Sequence, residues 1–149
     1  MRTRILVLLI FAIATAATAR AQNYKTAIGL RLSSNPATVN HSISVKYFIN
    51  RIVALEGLVS FDPVAVGGLV EMHQPVSSAP GLRWLVGGGA YLGFTNDVNA
   101  GAQGILGLDY KFINFPINIT ADWKPELRFT HEFAFEPAVV GLSARFTLK

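Results

Sequence analysis

The feature that most constrains this chain is an alternation of apolar and polar residues, which recurs in segment after segment beyond residue 22. The clearest case is His41–Ile49, where Ile43, Val45 and Tyr47 alternate with serine and lysine. Side chains of a β-strand point alternately to the two faces of a sheet, so this segment has one apolar and one polar face. No later segment has the period of an amphipathic helix, and the sequence therefore predicts an all-β protein.

Turn-forming residues divide the alternating region into eight predicted strands. Asn50-Arg51 and Asp62-Pro63 are typical of tight turns, whereas 74–81 and 130–137 indicate longer connections. Pro125 falls inside the seventh strand, where it cannot donate to the ladder, and predicts a bulge or a local break. The strands are predicted at 25–33, 41–49, 52–61, 65–73, 82–94, 101–112, 116–128 and 138–148.

Residues 1–21 have the pattern of a cleaved secretory signal peptide. Two arginines within the first four residues precede an apolar run at 5–19, and Ala19-Arg20-Ala21 matches a small-residue cleavage site. The alternative is an N-terminal membrane anchor, for which the apolar run is short. The mature protein is predicted to be one barrel domain, 22–149. It contains no cysteine, which excludes disulfides and thiolate chemistry.

The charge of the mature chain gives no reason to expect a nucleic-acid partner. The full sequence carries a formal net charge of +4. Without the three arginines of the predicted signal peptide, lysine plus arginine falls from 13 to 10 against 9 acidic residues, which leaves +1. Nucleic-acid binding requires a basic surface, and a nearly neutral chain does not indicate one.

One face of the predicted strands is large and apolar, and no charged residue interrupts it. A face of this kind must contact either a protein core or lipid. Its members are Ile28, Leu30, Leu32, Ile43, Val45, Tyr47, Val53, Leu55, Val59, Phe61, Trp84, Val86, Ala90, Leu92, Phe94, Leu106, Leu108, Tyr110, Phe112, Ile117, Ile119, Trp123, Leu127, Val140, Leu142, Phe146 and Leu148.

The opposite face collects nearly all the strand charges, mixed with small residues that suit the crowded interior of an eight-stranded barrel. Nearly balanced charges can pair inside a narrow lumen, where an unpaired ion would be costly. We therefore expect a structural charge network in the lumen and an apolar exterior against lipid. In a soluble barrel the two faces would be exchanged. The predicted network comprises Arg31, Lys46, Glu56, Glu71, Asp109, Lys111, Asp122, Lys124, Glu126, Arg128 and Arg145.

Aromatic residues are predicted to form two belts, as in a membrane barrel, although aromatic enrichment is also common in ordinary strands. Near the strand ends that share a side with the N-terminus are Tyr47, Trp84, Tyr110, Phe112 and Phe146. Toward the other end are Phe61, Phe94 and Trp123.

Several stretches resemble a family of small outer-membrane β-barrel proteins of Bacteroidetes-type Gram-negative bacteria, similar in outline to the short OmpX-like and OmpA-like barrels. The resemblance implies the fold and the outer-membrane location and adds little on activity. The chain departs from the barrel pattern in its short loops and in its end, Phe146-Thr147-Leu148-Lys149, which lacks a terminal aromatic. The resembling stretches are Lys46-Tyr47-Phe48, Ala54-Leu55-Glu56-Gly57, 68–73, 80–84, 87–90, 104–110, Pro116-Ile117-Asn118-Ile119 and Asp122-Trp123-Lys124-Pro125.

No catalytic, cofactor or metal site is predicted. His41, His73 and His131 lie at strand ends or in a loop without ligand spacing, and we interpret them as interfacial polar residues. His41 and Ser42 are neighbours on one strand and point to opposite faces, so they cannot begin a converging hydrolytic triad.

Together these patterns predict an eight-stranded antiparallel up-and-down transmembrane β-barrel in the cell outer membrane, with a charge-plugged lumen and no catalysis. The expected role is structural or a surface interaction. The expected partners are outer-membrane lipid and, during biogenesis, the barrel-assembly machinery; the barrel is expected to be a monomer. Three alternatives stay open. They are a narrow transport barrel for small apolar molecules with a lateral opening at Pro125, a lipid A-modifying enzyme, and a soluble periplasmic ligand-binding barrel.

Overall fold

The computed structural model describes residues 24–34 and 37–149; the predicted signal peptide lies outside them. The described chain is all-β, as the alternation predicts. Its strands are β1 Thr26–Ser33, β2 Ser42–Phe48, β3 Val53–Phe61, β4 Val64–Pro75, β5 Leu82–Gly93, β6 Asn99–Lys111, β7 Ile117–Trp123, β8 Glu126–Arg128, β9 Ala134–Glu136 and β10 Val140–Leu148.

The strands close into an eight-stranded antiparallel barrel. From β1 to β7 each strand pairs with the next along the chain, and β10 returns to pair with β1. The segments β7 and β8 both pair with β6, so together they form the seventh strand, and β9 with β10 forms the eighth. Closure gives the barrel strands hydrogen-bonded neighbours on both sides. The predicted up-and-down topology and strand count are confirmed.

The break predicted at Pro125 occurs, but it does not shift the register against β6. Leu106 pairs with Trp123 and Gln103 pairs with Glu126, so the same number of residues separates these two pairings on each strand. The extra residue lies instead in the eighth strand at Pro137-Ala138, where the pairing changes from Val140–Trp123 to Glu136–Glu126. Two consecutive exposed residues at this point are typical of a bulge.

The barrel has two ends with different connections. The terminal end carries Tyr24, Lys149 and the connections 49–52, 76–81 and 112–116. The loop end carries 34, 37–41, 62–63, 94–98 and 129–133. The predicted long connection at 74–81 is shorter than expected, because β4 continues to Pro75, which pairs with Arg83. The predicted loop 130–137 contains β9, which extends the last hairpin.

Most of the large apolar side chains point outward. Thirty-one of them are exposed, from 37% for Val66 to 73% for Phe133. Between the ends of the described strands, no charged side chain faces outward. The aromatic side chains lie toward both ends, except that Trp123 lies at the junction of β7 and β8 rather than at the loop end.

Part of the interior is apolar, which the sequence interpretation did not anticipate. Besides the charges, the lumen holds an apolar cluster that includes a residue of the first connection, Val39. Residues 37–39 fold back into the barrel: Val39 is fully buried and the Thr38 amide donates to Glu126 Oε2 at 2.9 Å. We call residues 37–39 the plug segment. The other members of the cluster are Leu58, Ala65, Leu69, Leu85, Tyr91 and Ile105.

Candidate functional site in the barrel lumen

The structure buries nine of the eleven residues of the predicted charge network. None of the nine is more than 7% exposed, and they project inward from seven of the eight barrel strands. They do so because each lies at one of the alternating strand positions that carry polar side chains, and these positions share one face of the sheet. The buried members are Arg31, Lys46, Glu56, Glu71, Asp109, Asp122, Lys124, Glu126 and Arg145.

Arg145 of β10 organises the first group. Its guanidinium forms an ion pair with Glu56 of β3, and its Nε donates to Ser44 Oγ at 2.6 Å. Its Nη1 donates to Thr120 Oγ1 at 2.8 Å and to Asn118 Oδ1 at 3.2 Å. A guanidinium has five N–H donors, so a buried arginine needs several acceptors, and this group supplies four.

Two hydroxyl groups join this arginine to the carboxylates around it. Ser44 accepts from Arg145 and donates to Glu56 Oε1 at 2.5 Å. Thr120 accepts from Arg145 and donates to Asp109 Oδ1 at 2.6 Å. Each hydroxyl thus uses its donor and an acceptor site, which satisfies polar atoms that burial would otherwise leave unpaired.

A second group surrounds Lys46 of β2. Its Nζ lies 2.8 Å from Glu71 Oε2 and 3.8 Å from Asp109 Oδ1, which reaches across from the opposite side of the barrel. The side chain of His73 is fully buried in the same group, with Nε2 at 2.8 Å from Glu71 Oε2. This group connects β2, β4 and β6 through the lumen.

The remaining pairs lie nearer the loop end. Arg31 makes a bidentate contact with Asp122, in which Nη2 donates to Oδ1 at 2.7 Å. Lys124 Nζ lies 3.2 Å from Glu126 Oε1 and donates to Gln103 Oε1 at 2.8 Å. Glu126 also accepts from the plug segment, so the charges at this level hold the first connection inside the barrel.

Lys111 and Arg128, the other two predicted members, do not join these groups. Lys111 lies at the terminal end, where its Nζ donates to the carbonyl oxygens of Phe112 and Phe115 at 2.5 and 2.6 Å. Arg128 is half-buried at the loop end, and its Nε is buried without a hydrogen-bond partner. Both occupy the inward phase of a strand, but each is at a strand end where the lumen opens.

The interfacial interpretation of the histidines was wrong for His73. This residue shares the inward face of β4 with Glu71, two positions earlier, and that spacing was the signal available in the sequence. His41 and His131 are exposed. Among residues 24–34 and 37–149, no group of three or more His, Cys, Asp or Glu side chains could hold a metal ion.

The arrangement defines a closed barrel whose lumen is crossed by ion pairs and closed at one end by its own first connection. Buried pairs of this kind fix the side chains that form them. Two buried polar atoms of the group around Lys46, Glu71 Oε1 and His73 Nδ1, have no hydrogen-bond partner. No family model, curated protein or solved structure matches this chain. No helix in the described part of the chain is long and apolar enough to cross a membrane.

Proposed function

We propose that this chain is an outer-membrane β-barrel protein of a Gram-negative bacterium with a structural or surface-interaction role and no catalysis. In this proposal the apolar exterior contacts lipid, and residues 1–21 direct export and are then removed. The barrel-assembly machinery inserts a monomer. The resemblance to small OmpX-like and OmpA-like barrels of Bacteroidetes-type bacteria is part of the same proposal.

The observation that carries the proposal is the distribution of polarity between the two faces of the sheet. Leu30 is 63% exposed in the middle of β1, whereas Arg31, the next residue, is 1% exposed. A water-soluble monomer seldom exposes a continuous apolar patch larger than a few hundred Å². An apolar exterior around the whole barrel, with the charges inside, is the arrangement required by a hydrocarbon solvent.

Closure of the sheet also supports a lipid environment around the barrel. An unpaired backbone N–H or C=O group is costly in hydrocarbon, and a closed barrel removes the sheet edges. Aromatic side chains at both ends would lie at the two lipid–water interfaces. Tyr47 and Trp84 lie toward the terminal end, and Phe61 and Phe94 lie at the loop end.

Cell fractionation followed by electrophoresis with and without boiling tests the proposal. We expect the protein in the outer-membrane fraction, with a folded band that changes mobility only after boiling. A protein that stays in solution without detergent and shows no shift would contradict the proposal and favour a soluble barrel.

A matched pair of arginine substitutions tests which solvent the exterior contacts. In lipid, Leu30→Arg places a charge on the apolar exterior and costs about 2–4 kcal/mol of folding free energy if its position is near the bilayer midplane. In water, the same exposed substitution has little effect. Ser77→Arg, in the exposed 76–81 connection, is the control and is neutral in both cases. Equal stability of the two variants would contradict a lipid-facing β1.

A further inference from the structure

The charged side chains that lie outside the buried network are separated between the two ends of the barrel. At the loop end the described residues carry four acidic side chains, Asp62, Asp97, Glu132 and Glu136, with Arg128 as the single lysine or arginine. At the terminal end the described residues carry five basic side chains and no acidic one. The basic set is Lys25, Arg51, Arg83, Lys111 and Lys149.

The five basic residues come from five separate places in the sequence. The barrel topology brings them together, because strand starts and strand ends alternate along the chain and meet at the same end. Lys25, Arg51 and Lys149 are exposed. Arg83 is half-buried; it donates to the carbonyl oxygen of Arg51 and lies 5.6 Å from the centre of the Phe48 ring. The result is a cationic surface, which we call the basic end.

The basic end is concave. One depression of about 180 Å³ lies between Tyr24, Arg83, Lys111 and the 76–81 connection. A second, of about 240 Å³, lies between Tyr24, Lys25, Arg51 and Arg83. Both therefore combine cationic side chains with apolar walls, and each is wide enough for a group the size of a phosphate.

Tyr24 lines both depressions and has an unused polar group. The residue is 8% exposed, its ring packs edge-on against Phe48, and its hydroxyl has no hydrogen-bond partner. Burial raises the pKa of Tyr24 above the ordinary range, so the phenol stays protonated and keeps its donor. Most buried polar atoms are satisfied. The buried hydroxyls of Ser42 and Ser143 in the lumen are also without a partner, so this feature is not particular to the basic end.

Aromatic side chains on the exterior lie directly beside the basic end. Lys25 Nζ is 5.3 Å from the centre of the outward-facing Tyr47 ring. Trp84 follows Arg83 and also faces outward, and Tyr110 precedes Lys111. Aromatic and basic residues together are typical of the level at which lipid headgroups meet the acyl chains.

We infer that the basic end binds the anionic headgroups of phospholipids, with their net negative charge as the recognised feature, in the leaflet that surrounds the terminal end. The inference rests on the proposed membrane location. Basic residues near an anionic lipid surface each add to the attraction, and five around one rim would enrich anionic lipid there. The acidic loop end would show no such enrichment.

Tryptophan quenching by lipids with brominated acyl chains tests this inference. Trp123→Phe leaves Trp84 as the reporter near the basic end, and Trp84→Phe leaves Trp123, which lies near the middle of the barrel and away from the basic end. Each protein is folded into zwitterionic phosphatidylcholine vesicles that contain one fifth phosphatidylglycerol, with bromine on either the anionic or the zwitterionic lipid. Quenching is compared at equal mole fractions of the brominated lipid.

We expect the anionic lipid at Trp84 to exceed its bulk mole fraction by about twofold or more at low salt, and the excess to decrease as salt screens the charges. Trp123 should report the bulk composition. Equal quenching of Trp84 by the two brominated lipids would overturn the inference. Inorganic phosphate at constant ionic strength should leave the excess in place, because the acyl chains hold the lipid beside Trp84. Loss of the excess would show that the site takes free phosphate rather than lipid and would also overturn the inference.

Two charge variants made in the Trp84 reporter protein complete the test. Lys25→Gln, Arg51→Gln and Lys149→Gln together remove the exposed charges of the basic end and should abolish the excess. Asp62→Asn, Asp97→Asn and Glu132→Gln remove three charges from the loop end and should leave it unchanged. An excess that survives the first set, or disappears with the second, contradicts the inference.

The same measurement separates this inference from the proposed function. If neither brominated lipid quenches either tryptophan, the exterior does not contact acyl chains and the membrane location itself is wrong. If brominated phosphatidylcholine quenches both tryptophans but the anionic lipid gives no excess, the barrel is in the bilayer and the inference alone fails. The mobility shift on boiling confirms that each variant is folded.

Discussion

Arg145 illustrates how single residues hold this lumen together. It is 2% exposed and meets Glu56, Ser44, Thr120 and Asn118, which come from three different strands. A buried ion pair contributes little compared with a well-packed apolar pair, because both charges lose their hydration. Removing one partner has a larger effect, since the other charge stays buried without compensation.

Arg145→Met should therefore be much more destabilising than the loss of one hydrogen bond. We expect a loss of about 3–5 kcal/mol in the free energy of unfolding, measured by urea titration of the folded band in detergent. The double variant Arg145→Met with Glu56→Gln removes both charges and should recover part of that loss. If the free energy of unfolding of Arg145→Met were within about 1 kcal/mol of that of the unmodified protein, water would be compensating the Glu56 carboxylate in place of the arginine.

The inward position of most of the charged residues could be predicted, because successive side chains of a strand alternate between the two faces of the sheet. Lys46 and Glu56 follow directly from the alternation in β2 and β3. The pairing could not be predicted, since Arg31 meets Asp122 at a separation of 91 residues. The apolar residues inside the lumen, such as Leu58 and Leu85, could not be predicted either. They lie on the same face of their strands as the polar residues, and they pack against one another only once the barrel closes.

At the scale of elements, glycines set how closely neighbouring strands approach. A Cβ atom added to Gly89 of β5 would meet the carbonyl oxygen of Gly68 in β4, and one added to Gly87 would meet that of Val70. Both contacts are with backbone, which cannot rotate away. A Cβ added to Gly57 in β3 would meet nothing within 4 Å. Some glycines are therefore required by the close approach of two strands and others are not, and the sequence does not distinguish them.

Gly89→Ala should destabilise the β4–β5 pairing by about 1–3 kcal/mol, as overpacking does in a dense interior. The readout is the temperature at which the folded band disappears on electrophoresis. Gly57→Ala is the matched control and should be neutral or slightly stabilising, because alanine restricts the unfolded chain more than glycine does. Equal effects of the two substitutions would contradict the close approach at Gly89.

The sequence predicts regular elements better than irregular ones. The bounds of β1, β2 and β3 agree with the predicted strands to within one residue at all six ends, because turn residues mark them clearly. The break at Pro125 was predicted, whereas the extra residue at Pro137-Ala138 was not. A proline indicates that a ladder bond is missing, but which of two paired strands accommodates the extra residue depends on the register of both.

At the scale of the whole molecule, the plug segment closes the lumen near the loop end. Ion pairs cross the lumen at several levels, and apolar side chains pack among them and around Val39. Val39 is fully buried, and the Thr38 amide donates to Glu126. The barrel is thus closed by a connection that could move without breaking a strand.

Val39→Asp should release the plug segment, because a carboxylate would be buried among apolar side chains without a partner. We expect the unmodified protein to be silent in single-channel recordings and the variant to show small steady conductance, with the shift on boiling retained. Val98→Asp is the control, since Val98 is 56% exposed in the 94–98 connection. Silence of the Val39 variant would mean that the ion pairs alone close the lumen.

The seam between the first and last strands has a consequence for how long the folded barrel persists. β1 and β10 come from opposite ends of the chain, and each contributes a buried arginine that pairs with a distant strand, Arg31 with Asp122 and Arg145 with Glu56. The seam can part only if both arginines leave their carboxylates while the ladder between the two strands is broken. These losses occur together, before water can compensate them, so the barrier to opening is high. The lifetime of the closed state is then set by the rate of that event rather than by the equilibrium free energy of unfolding.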